Sequence, residues 1–535
     1  MSGQGEDKLD PDGIQNDGVS TYPADAHRLQ TYADAEQKLA QFQAPVFIHA
    51  DNPHERLYVA ALDGTGNDKD KDPAHETNVG KIHDQIHNGN NPRIRSGYVA
   101  GPGTEDGWWA RTYDGATGHT YEPRLEAMYK QFIDQAWRWK QEDPQADIRL
   151  AEMGFSRGAS QAAGFARMVH ERGIQDPSGA VYTKDAEGLI TGVQYTKQPL
   201  VAPGQVAQAE MLFDPVSTGE PMKHDRRPPP SVISGLQIIS EDEKRPAFPS
   251  DHVIRPGETP DGRFLGVTVA GAHSDIGGSY HRDGLAARSE NLAINYLNAL
   301  SDKPFLTNVA EPNDPRLNVV HRSEEGFPFN IDPRRHINRD TAQGYNEREV
   351  PQEIHIIQER IGRDTVSVAT YAERPGVSDP FHAEPRDEKL NAQFDRQTVN
   401  TVQMGQPSQP GVPGNPIARN GAIDGLNPNG SPQNQDKAGA LTLATASALP
   451  VDATRKQTTD HLLAALLSDD PAVMYAGVEA GLNTHASQQL LQQANLAAQA
   501  RQNGQVQNQG QSQPQIQPQA QPVPEQVQAP VMRMR

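Results

Sequence analysis

The chain has 535 residues and a formal net charge of −20 at neutral pH. This excess of acidic side chains disfavours unspecific binding to nucleic acid or to an anionic membrane surface, because both are negatively charged themselves. The sequence contains no cysteine, which excludes disulfide bonds, thiolate catalysis and cysteine-ligated metal sites. Hydrophobic residues make up 35%, whereas glycine and proline are abundant, at 46 and 43 residues. This composition predicts one sizeable globular domain with long polar additions.

The N-terminal region, residues 1–50, is polar and contains one predicted helix near residues 25–41. It starts with MSGQGEDKLDPDG, which lacks the basic and apolar segments of a secretory signal peptide. We therefore expect synthesis in the cytoplasm without a Sec signal. No apolar run reaches the roughly 18–20 residues that span a bilayer, so we expect no transmembrane segment.

Short apolar runs that favour β-strands recur from residue 56 onward. They are RLYVAALDG (56–64), IRLAEMG (148–154), AEMLFD (209–214), LQIIS (236–240) and RFLGVTVAG (263–271). Predicted helices lie between several of these runs, notably at 124–141 and 160–172. Strands that alternate with helices predict a mainly parallel sheet flanked by helices, and therefore an α/β domain over residues 51–345.

The C-terminal part differs in composition. Residues 346–455 are rich in proline, glycine, asparagine and glutamine, which predicts a linker. Residues 456–501 carry leucines at helical spacing, which predicts a small helical module. Residues 502–535 are rich in glutamine and cannot bury enough apolar surface to offset the entropy of the chain, so we expect a disordered tail.

The sharpest motif is GFSRG at residues 154–158, directly after a predicted strand and directly before a predicted helix. This is G-x-S-x-G in the strand–turn–helix context of an α/β-hydrolase nucleophile. The chemistry requires a tight turn that lifts the serine hydroxyl above the sheet, and the small residues on either side let strand and helix pass closely. We therefore predict that Ser156 is the nucleophile of a serine hydrolase with an α/β-hydrolase-like fold.

An oxyanion hole needs two backbone N–H donors close to the nucleophile. Arg157, the residue after Ser156, supplies the first donor. The second is predicted from Gly64 or Thr65, because their loop follows the first core strand and its glycines let the backbone approach a substrate.

The sequence favours no metal site and no other cofactor. Asp68, Asp70 and Asp72 are spaced as in a calcium-binding loop. However, Pro73 stands where such a loop needs its turn glycine, and Val79 where it needs a bidentate glutamate. We therefore expect these aspartates to be solvated loop charges.

Serine is activated by a histidine, which in turn needs a carboxylate that orients it. Asp275 is the preferred acid because it follows a late predicted strand and precedes two glycines, and Asp214 at the end of an earlier strand is the alternative acid. His321 is the preferred base because it follows Asp275 and begins a loop. His273 is only the alternative base. It precedes Asp275 by two residues, and a strand would point both side chains in the same direction without letting the ring reach Ser156. Other candidate bases from the same part of the chain remain open, namely His252, His281 and His336.

Eight sequence blocks occur in an order that resembles the catalytic domain of the bacterial type VI secretion lipase effectors of the first Tle family. The blocks are LDGTGND, ETNVGKI, GYVAGPGT, MGFSRGASQAAGFARMV, LFDPVSTG, IISEDEKRPAF, VAGAHSDIGGSY and VVHRSEEGF, within residues 56–330. The resemblance implies a serine phospholipase in which Ser156, Asp275 and His321 match the catalytic residues. It also implies a membrane phospholipid substrate, a secretion-machinery component and an immunity protein as partners, and delivery into a target cell.

Two other functions remain open. One is a carboxylesterase that acts on small soluble esters, and the other is a non-catalytic effector adaptor built on a decayed hydrolase fold. The glutamine-rich C-terminus is similar in composition to the tails of some type IV secretion effectors. The secretion route therefore stays open between type VI and type IV.

Overall fold

The computed structural model describes residues 9–103, 121–185, 188–217, 221, 224–245, 248–325, 353–361, 364–372 and 383–401. Its α-helices are α1 (Ala26–Leu39), α2 (Asn78–Asn88), α3 (Tyr121–Glu142), α4 (Arg157–Arg172), α5 (His273–Gly277), α6 (Gly284–Asn298) and α7 (Glu388–Asn391). Short 3₁₀ helices are found at Pro73–His75, Pro177–Gly179 and Ser323–Glu325.

The strands follow the predicted runs and add several more. They are β1 (Thr21–Pro23), β2 (Gln43–Pro45), β3 (Glu55–Leu62), β4 (Ile94–Val99), β5 (Asp147–Phe155), β6 (Ala180–Lys184), β7 (Ile190–Tyr195), β8 (Gln208–Phe213), β9 (Val232–Ser240), β10 (Gly257–Glu258), β11 (Phe264–Val269), β12 (Val319–His321), β13 (Glu353–Ile361), β14 (Asp364–Ala372) and β15 (Arg396–Thr398).

The central sheet of the described chain has seven strands in the order β10-β11-β9-β8-β5-β3-β4. Adjacent strands of this sheet are parallel except at one edge, where β10 runs antiparallel to β11. The predicted mainly parallel α/β sheet is therefore confirmed. The described chain also contains two-stranded antiparallel pairs, which are β1–β12, β2–β15, β6–β7 and β13–β14.

Helices cover both faces of this sheet. One hydrophobic core joins the strands to α1, α2 and α6, and a second core joins them to α3 and α4. Because apolar side chains are needed on both faces, β3, β8 and β9 are buried at every position. The carboxyl ends of the parallel strands meet at one edge of the sheet, which is where α/β proteins place their sites.

Residues 9–50 of the N-terminal region are part of this domain. α1 lies within the predicted helix at 25–41 and buries Tyr32, Ala35 and Leu39 in the core. Upstream of α1, β1 pairs with β12 near the far end of the domain sequence. The polar composition of residues 1–50 therefore coexists with a buried apolar stripe.

The predicted linker at 346–455 differs from the structure over residues 383–401. There β15 pairs antiparallel with β2, and Leu390 and Val399 are buried in the core of the domain. The composition did not indicate this packing because a few apolar side chains anchor a segment that is otherwise polar. β13 and β14 also form an antiparallel pair within the predicted linker.

The predicted helical module at 456–501, the predicted tail at 502–535 and the rest of the predicted linker lie outside the described residues. In the described part of the chain, no helix combines the length and the apolar character needed to cross a membrane.

Candidate active site

The predicted nucleophile stands in the turn between β5 and α4. β5 ends at Phe155 and α4 begins at Arg157, so Ser156 is the single residue between them. Its φ of +59° and ψ of −130° lie in a sparsely populated region that strains a residue with a side chain. The turn is held by β8 and the loop after it, since Ser156 N donates to Phe213 O at 3.0 Å and Val216 N donates to Ser156 O at 3.2 Å.

The motif glycines, Gly154 and Gly158, allow neighbouring backbone segments to approach closely. A Cβ on Gly158 would meet the carbonyl oxygens of Leu62 and Asp63. A Cβ on Gly154 would meet the backbone of Gly158 itself. Both positions therefore need glycine so that β3, β5 and α4 can converge at the turn.

A buried aspartate–histidine pair lies at the same edge of the sheet. Asp214 follows β8, the neighbour of β5, and its Oδ2 lies 2.5 Å from Nδ1 of His273. The other carboxylate oxygen accepts a hydrogen bond from Ser240 N at 3.0 Å. The ring of His273 packs on the ring of Phe155 with the centroids 4.6 Å apart. The pair therefore lies beside the residue that immediately precedes Ser156.

The surroundings of His273 favour a neutral imidazole. Burial lowers the pKa of this ring, and the hydrogen bond to Asp214 offsets only part of that effect. Because Nδ1 faces the carboxylate, the proton is assigned to Nδ1, which leaves the lone pair on Nε2. Nε2 is buried and has no hydrogen-bond partner among the residues that the structure describes.

Nε2 of His273 and Oγ of Ser156 are not within hydrogen-bonding distance among the contacts of the described residues. In serine hydrolases such a contact often tightens only when substrate binds.

A second carboxylate fixes the backbone of His273. Glu243 Oε2 accepts a hydrogen bond from His273 N at 3.2 Å. Glu243 also pairs with Arg245 through two contacts, Nε to Oε1 at 2.9 Å and Nη2 to Oε2 at 2.8 Å. Phe248 contacts both the Arg245 guanidinium, at 3.7 Å from its ring centroid, and the His273 ring, at 5.1 Å between centroids. The backbone and the ring of His273 are thus restrained from different sides.

The preferred acid and base of the sequence, Asp275 and His321, lie together in the structure. Asp275 is the third residue of α5, and its Oδ1 is 2.5 Å from Nδ1 of His321. Nε2 of His321 is 3.0 Å from Oδ2 of Asp17. Carboxylates therefore hold both ring nitrogens, and neither is open to accept a proton from Ser156.

The charge of His321 also differs from that of a general base. Burial alone would lower the pKa of His321, but the carboxylates of Asp275 and Asp17 outweigh burial and raise the pKa to about 9. A ring that is protonated at neutral pH cannot take up the proton of a serine. The geometry thus reverses the predicted order of preference, because Asp214 and His273 meet the requirements better than Asp275 and His321.

The reversal has a local structural cause. The prediction assumed one strand that carries both His273 and Asp275, but β11 ends at Val269. Gly271 has a φ of +129°, which turns the chain away from the strand direction, and α5 begins at His273. The two side chains therefore project from a helix in different directions, each toward its own partner.

The other candidate bases lie elsewhere. The ring of His281 packs on the ring of His75 with the centroids 4.9 Å apart. His252 is buried in the segment between β9 and β10. His336 lies outside the described residues.

The loop after β3, which the sequence predicts to supply the second oxyanion donor, contacts Arg157. Arg157 Nε donates to Thr65 Oγ1 at 2.7 Å, so the two predicted donor residues are joined. Gly64 N donates to Asp63 Oδ1 at 2.7 Å, so this N–H is already engaged. The N–H of Gly64 is thus already used, which leaves the N–H of Thr65 as the predicted donor of this loop.

The carboxylate of Asp63 orders the same loop through hydrogen bonds. It accepts hydrogen bonds from Thr77 Oγ1 at 2.8 Å and from Tyr98 OH at 2.6 Å. Burial raises the pKa of Asp63 to about 6, against the lowering effect of these hydrogen bonds. The loop is thus tied both to the start of α2 and to β4.

In the described ranges, no group of three or more histidine, aspartate or glutamate side chains is arranged to hold a metal ion. Asp68 instead accepts hydrogen bonds from the backbone of Asp70, at 3.1 Å, and Lys71, at 3.4 Å. Lys69 Nζ contacts Asp70 at 3.0 Å. The acidic residues of this segment therefore order their own loop.

The structure has the features of an α/β-hydrolase-like fold. They are a mainly parallel sheet with helices on both faces, a strained serine at a strand–helix turn, and a histidine–aspartate pair at the carboxyl ends of the strands. The predicted fold class is confirmed.

Residues 56–199 match the family model described as the catalytic domain of Tle1-like phospholipase effectors of the type VI secretion system. The predicted resemblance is confirmed over these residues. The match includes Ser156, Arg157 and the loop with Thr65, whereas Asp214 and His273 lie beyond it.

Solved structures with related folds are similar at low identity. An uncharacterized protein from Pseudomonas aeruginosa is 18% identical, with a TM-score of 0.30, over 55% of this chain and 52% of that chain. The Tle1 effector bound to the VgrG spike is 20% identical, with a TM-score of 0.25, over 44% and 52%. The apo form of Thermogutta terrifontis esterase 2 is 13% identical, with a TM-score of 0.25, over 52% and 94%. The chain thus spans about half the length of the first two proteins, and no curated protein matches it.

Proposed function

We propose that the protein is a serine phospholipase that cleaves glycerophospholipid esters through an acyl-enzyme. In this proposal Ser156 is the nucleophile, His273 is the general base, and Asp214 orients His273 and stabilises its charged form. The observation that carries the proposal is the 2.5 Å contact between Asp214 Oδ2 and His273 Nδ1, at the sheet edge where Ser156 occupies its strained turn.

The first half-reaction acylates the serine. Nε2 of His273 takes the proton of Ser156 as Oγ attacks the ester carbonyl carbon, and Asp214 stabilises the imidazolium that forms. The N–H groups of Arg157 and Thr65 donate to the developing oxyanion, toward which α4 also directs its positive N-terminal end. His273 then gives its proton to the leaving alcohol, so a lysophospholipid departs and the fatty acyl group stays on Ser156.

The second half-reaction repeats the proton transfers with water. His273 removes a proton from a water molecule, which attacks the acyl carbonyl, and the same histidine returns a proton to Ser156 Oγ as the fatty acid leaves. This sequence requires a neutral His273 at the start of each half. The lowered pKa of the buried His273 supports that requirement.

The site assignment is tested with an active-site probe. A fluorophosphonate should label the wild type, fail to label Ser156→Ala, and react far more slowly with His273→Gln. The matched control is His170→Gln, because His170 lies in the last turn of α4, remote from Ser156, with its Nδ1 2.8 Å from Ser231 Oγ. Labelling of Ser156→Ala at the wild-type rate would contradict the proposal. A wild type that resists the probe would favour the non-catalytic adaptor instead.

The lipid substrate is supported by the family match and is tested separately. Fatty-acid release from dispersed phospholipid is compared with hydrolysis of short soluble esters by the same preparation. A higher kcat/KM on phospholipid supports the phospholipase. A marked preference for short esters would favour the carboxylesterase.

We further propose that the protein is an antibacterial effector that is delivered into a target cell with a component of the type VI machinery. In the producing cell, an immunity protein would inhibit it. Its support is the effector family that residues 56–199 match. The test is competition against a susceptible strain by producers with and without a working type VI apparatus. Killing that persists without the type VI apparatus would contradict delivery by type VI secretion. Killing that depends on a type IV apparatus would favour type IV secretion.

A further inference from the structure

A second histidine–carboxylate cluster joins three segments that are far apart in sequence. His321 of β12 contacts Asp275 of α5 at 2.5 Å and Asp17 of the N-terminal segment at 3.0 Å. The side chain of His321 is 0% exposed, and those of Asp275 and Asp17 are 1% and 2% exposed. The proposed reaction uses none of these groups, so their complete burial needs another explanation.

Asp275 connects this cluster to the proposed base. Its Oδ2 accepts hydrogen bonds from Ala272 N at 2.8 Å and from His321 N at 3.0 Å, while Oδ1 faces the His321 ring. Ala272 directly precedes His273, the first residue of α5. A displacement of Asp275 would therefore move the start of the helix that carries the base.

The N-terminal strap, defined as residues 9–23, fastens the other side of the cluster. Besides the histidine, Asp17 accepts hydrogen bonds from the backbone of His281 at 2.6 Å and of Arg282 at 3.3 Å. The Arg282 guanidinium contacts Asp10 at 2.8 Å and Asp12 at 2.9 Å. The end of the strap forms β1, which pairs with β12. The strap is thus anchored on both sides of His321.

We propose that Asp17, His321 and Asp275 form a positioning network for His273, and that the N-terminal strap is therefore needed for turnover. The inference rests on the proposed role of His273 as the base. In this network His321 exchanges no proton with substrate. Its positive charge holds two buried carboxylates together, and one of these carboxylates fixes the start of α5.

The Asp17→Asn substitution isolates this role. The asparagine oxygen can still accept a hydrogen bond from His321, but the negative charge is lost and the network is weakened. Because a misplacement of about 1 Å in a catalytic group can cost roughly 100-fold in rate, we expect kcat to fall by about 10- to 100-fold. KM for a short soluble ester should change little, since the network does not contact the reacting atoms.

The pH profile provides a readout that a purely structural role would not move. The titratable groups that face His321 are Asp17 and Asp275, and the phenol of Tyr280, which stacks on the ring with centroids 3.8 Å apart. Burial raises the pKa of Tyr280 to about 12, so this phenol stays neutral over the relevant range. As the pH rises through about 9, His321 loses its charge, and kcat should fall. Without the Asp17 charge, that alkaline loss should move to lower pH.

The experiment measures kcat and KM on a soluble ester from pH 6 to 10 for the wild type, Asp17→Asn and the control Asp25→Asn. Asp25 belongs to the same region and caps α1, its side chain is 60% exposed, and asparagine caps a helix equally well. The expected result is a lower kcat and an earlier alkaline loss in Asp17→Asn alone. An unchanged kcat and an unchanged alkaline limb would overturn the proposal. Asp17→Glu, which keeps the charge, should retain the alkaline limb and serves as the second variant if Asp17→Asn does not fold.

Amide hydrogen exchange separates this inference from the proposed catalytic function. In a Ser156→Ala background, the peptide that covers residues 271–278 should exchange faster with Asp17→Asn than with Asp25→Asn. Equal exchange would overturn the positioning network whether or not the wild type hydrolyses esters. A wild type without esterase activity but with faster exchange in Asp17→Asn would overturn only the catalytic proposal.

Discussion

The free energy of unfolding should depend on the protonation of His321. The pKa of an unfolded histidine is about 6.5, whereas two buried carboxylates raise the pKa of folded His321 to about 9. A group whose pKa is raised on folding contributes stability that is fully present below the unfolded pKa and is lost as the pH rises through the folded pKa. At about 1.4 kcal/mol per pKa unit, the charged ring contributes about 3 kcal/mol at pH 5.5 that is absent at pH 10.

The measurement compares urea unfolding of the wild type and His321→Gln at pH 5.5 and pH 10. Glutamine keeps hydrogen-bonding capacity but cannot be charged. With a urea dependence of about 3 kcal/mol per molar, the substitution should lower the midpoint by about 1 M more at pH 5.5 than at pH 10. Burial also raises the pKa values of Glu152 and Glu210, but these groups titrate in both proteins and cancel in the difference.

The outcome decides whether the neighbouring carboxylates or burial has the larger effect on the pKa of folded His321. A difference between the two proteins that stays constant from pH 5.5 to 10 would mean that folding does not shift the pKa of His321. A difference that grows with pH would mean that burial has lowered the pKa. Either result would refute the reasoning that the paired carboxylates keep this histidine charged.

Three further predictions concern the proposed triad and its turn. Asp214→Asn should lower kcat on a soluble ester by about 10³- to 10⁴-fold, because asparagine cannot stabilise the imidazolium, and a loss below tenfold would argue against the assignment. The acidic limb of kcat/KM should lie below pH 6.5, because burial lowers the pKa of His273 and the base must be neutral; a limb at pH 7.5 would contradict this. Gly158→Ala should cost at least about 2 kcal/mol in thermal unfolding, because its Cβ would meet the backbone of the loop after β3, and an unchanged melting temperature would exclude that close approach.

The fold was largely predictable because the central strands are apolar on both faces. Runs such as those of β3 and β5 are buried along their length, so their hydrophobicity is continuous and easily recognised. The G-x-S-x-G turn was also predictable, since its glycines are required by local backbone contacts. By contrast, residues 383–401 attach to the core through few apolar side chains, including Leu390 and Val399, which a composition dominated by polar residues conceals.

The acid and the base were harder to predict, because the chain order of the triad does not separate the two pairs. Asp214 and His273 follow Ser156 in the required order, and so do Asp275 and His321. The choice depends on where β11 ends and on the turn at Gly271, neither of which the sequence pattern specifies. Asp17 and Glu243 carried no sequence signal, since the histidines that they contact are distant in the chain and only the folded structure brings them together.

The two histidine–aspartate pairs differ in charge for a reason that the structure makes explicit. Both rings are buried and both have Nδ1 2.5 Å from a carboxylate, so burial and one hydrogen bond are common to them. The ring of His273 contacts one carboxylate, and there burial prevails and lowers the pKa. The ring of His321 contacts a second carboxylate, that of Asp17, and there attraction prevails and raises the pKa. The same five-residue helix α5 carries His273 and Asp275, so it links a neutral imidazole suited to proton transfer with a charged one suited to holding structure. On this argument the N-terminal strap determines which of the two histidines can act as a base.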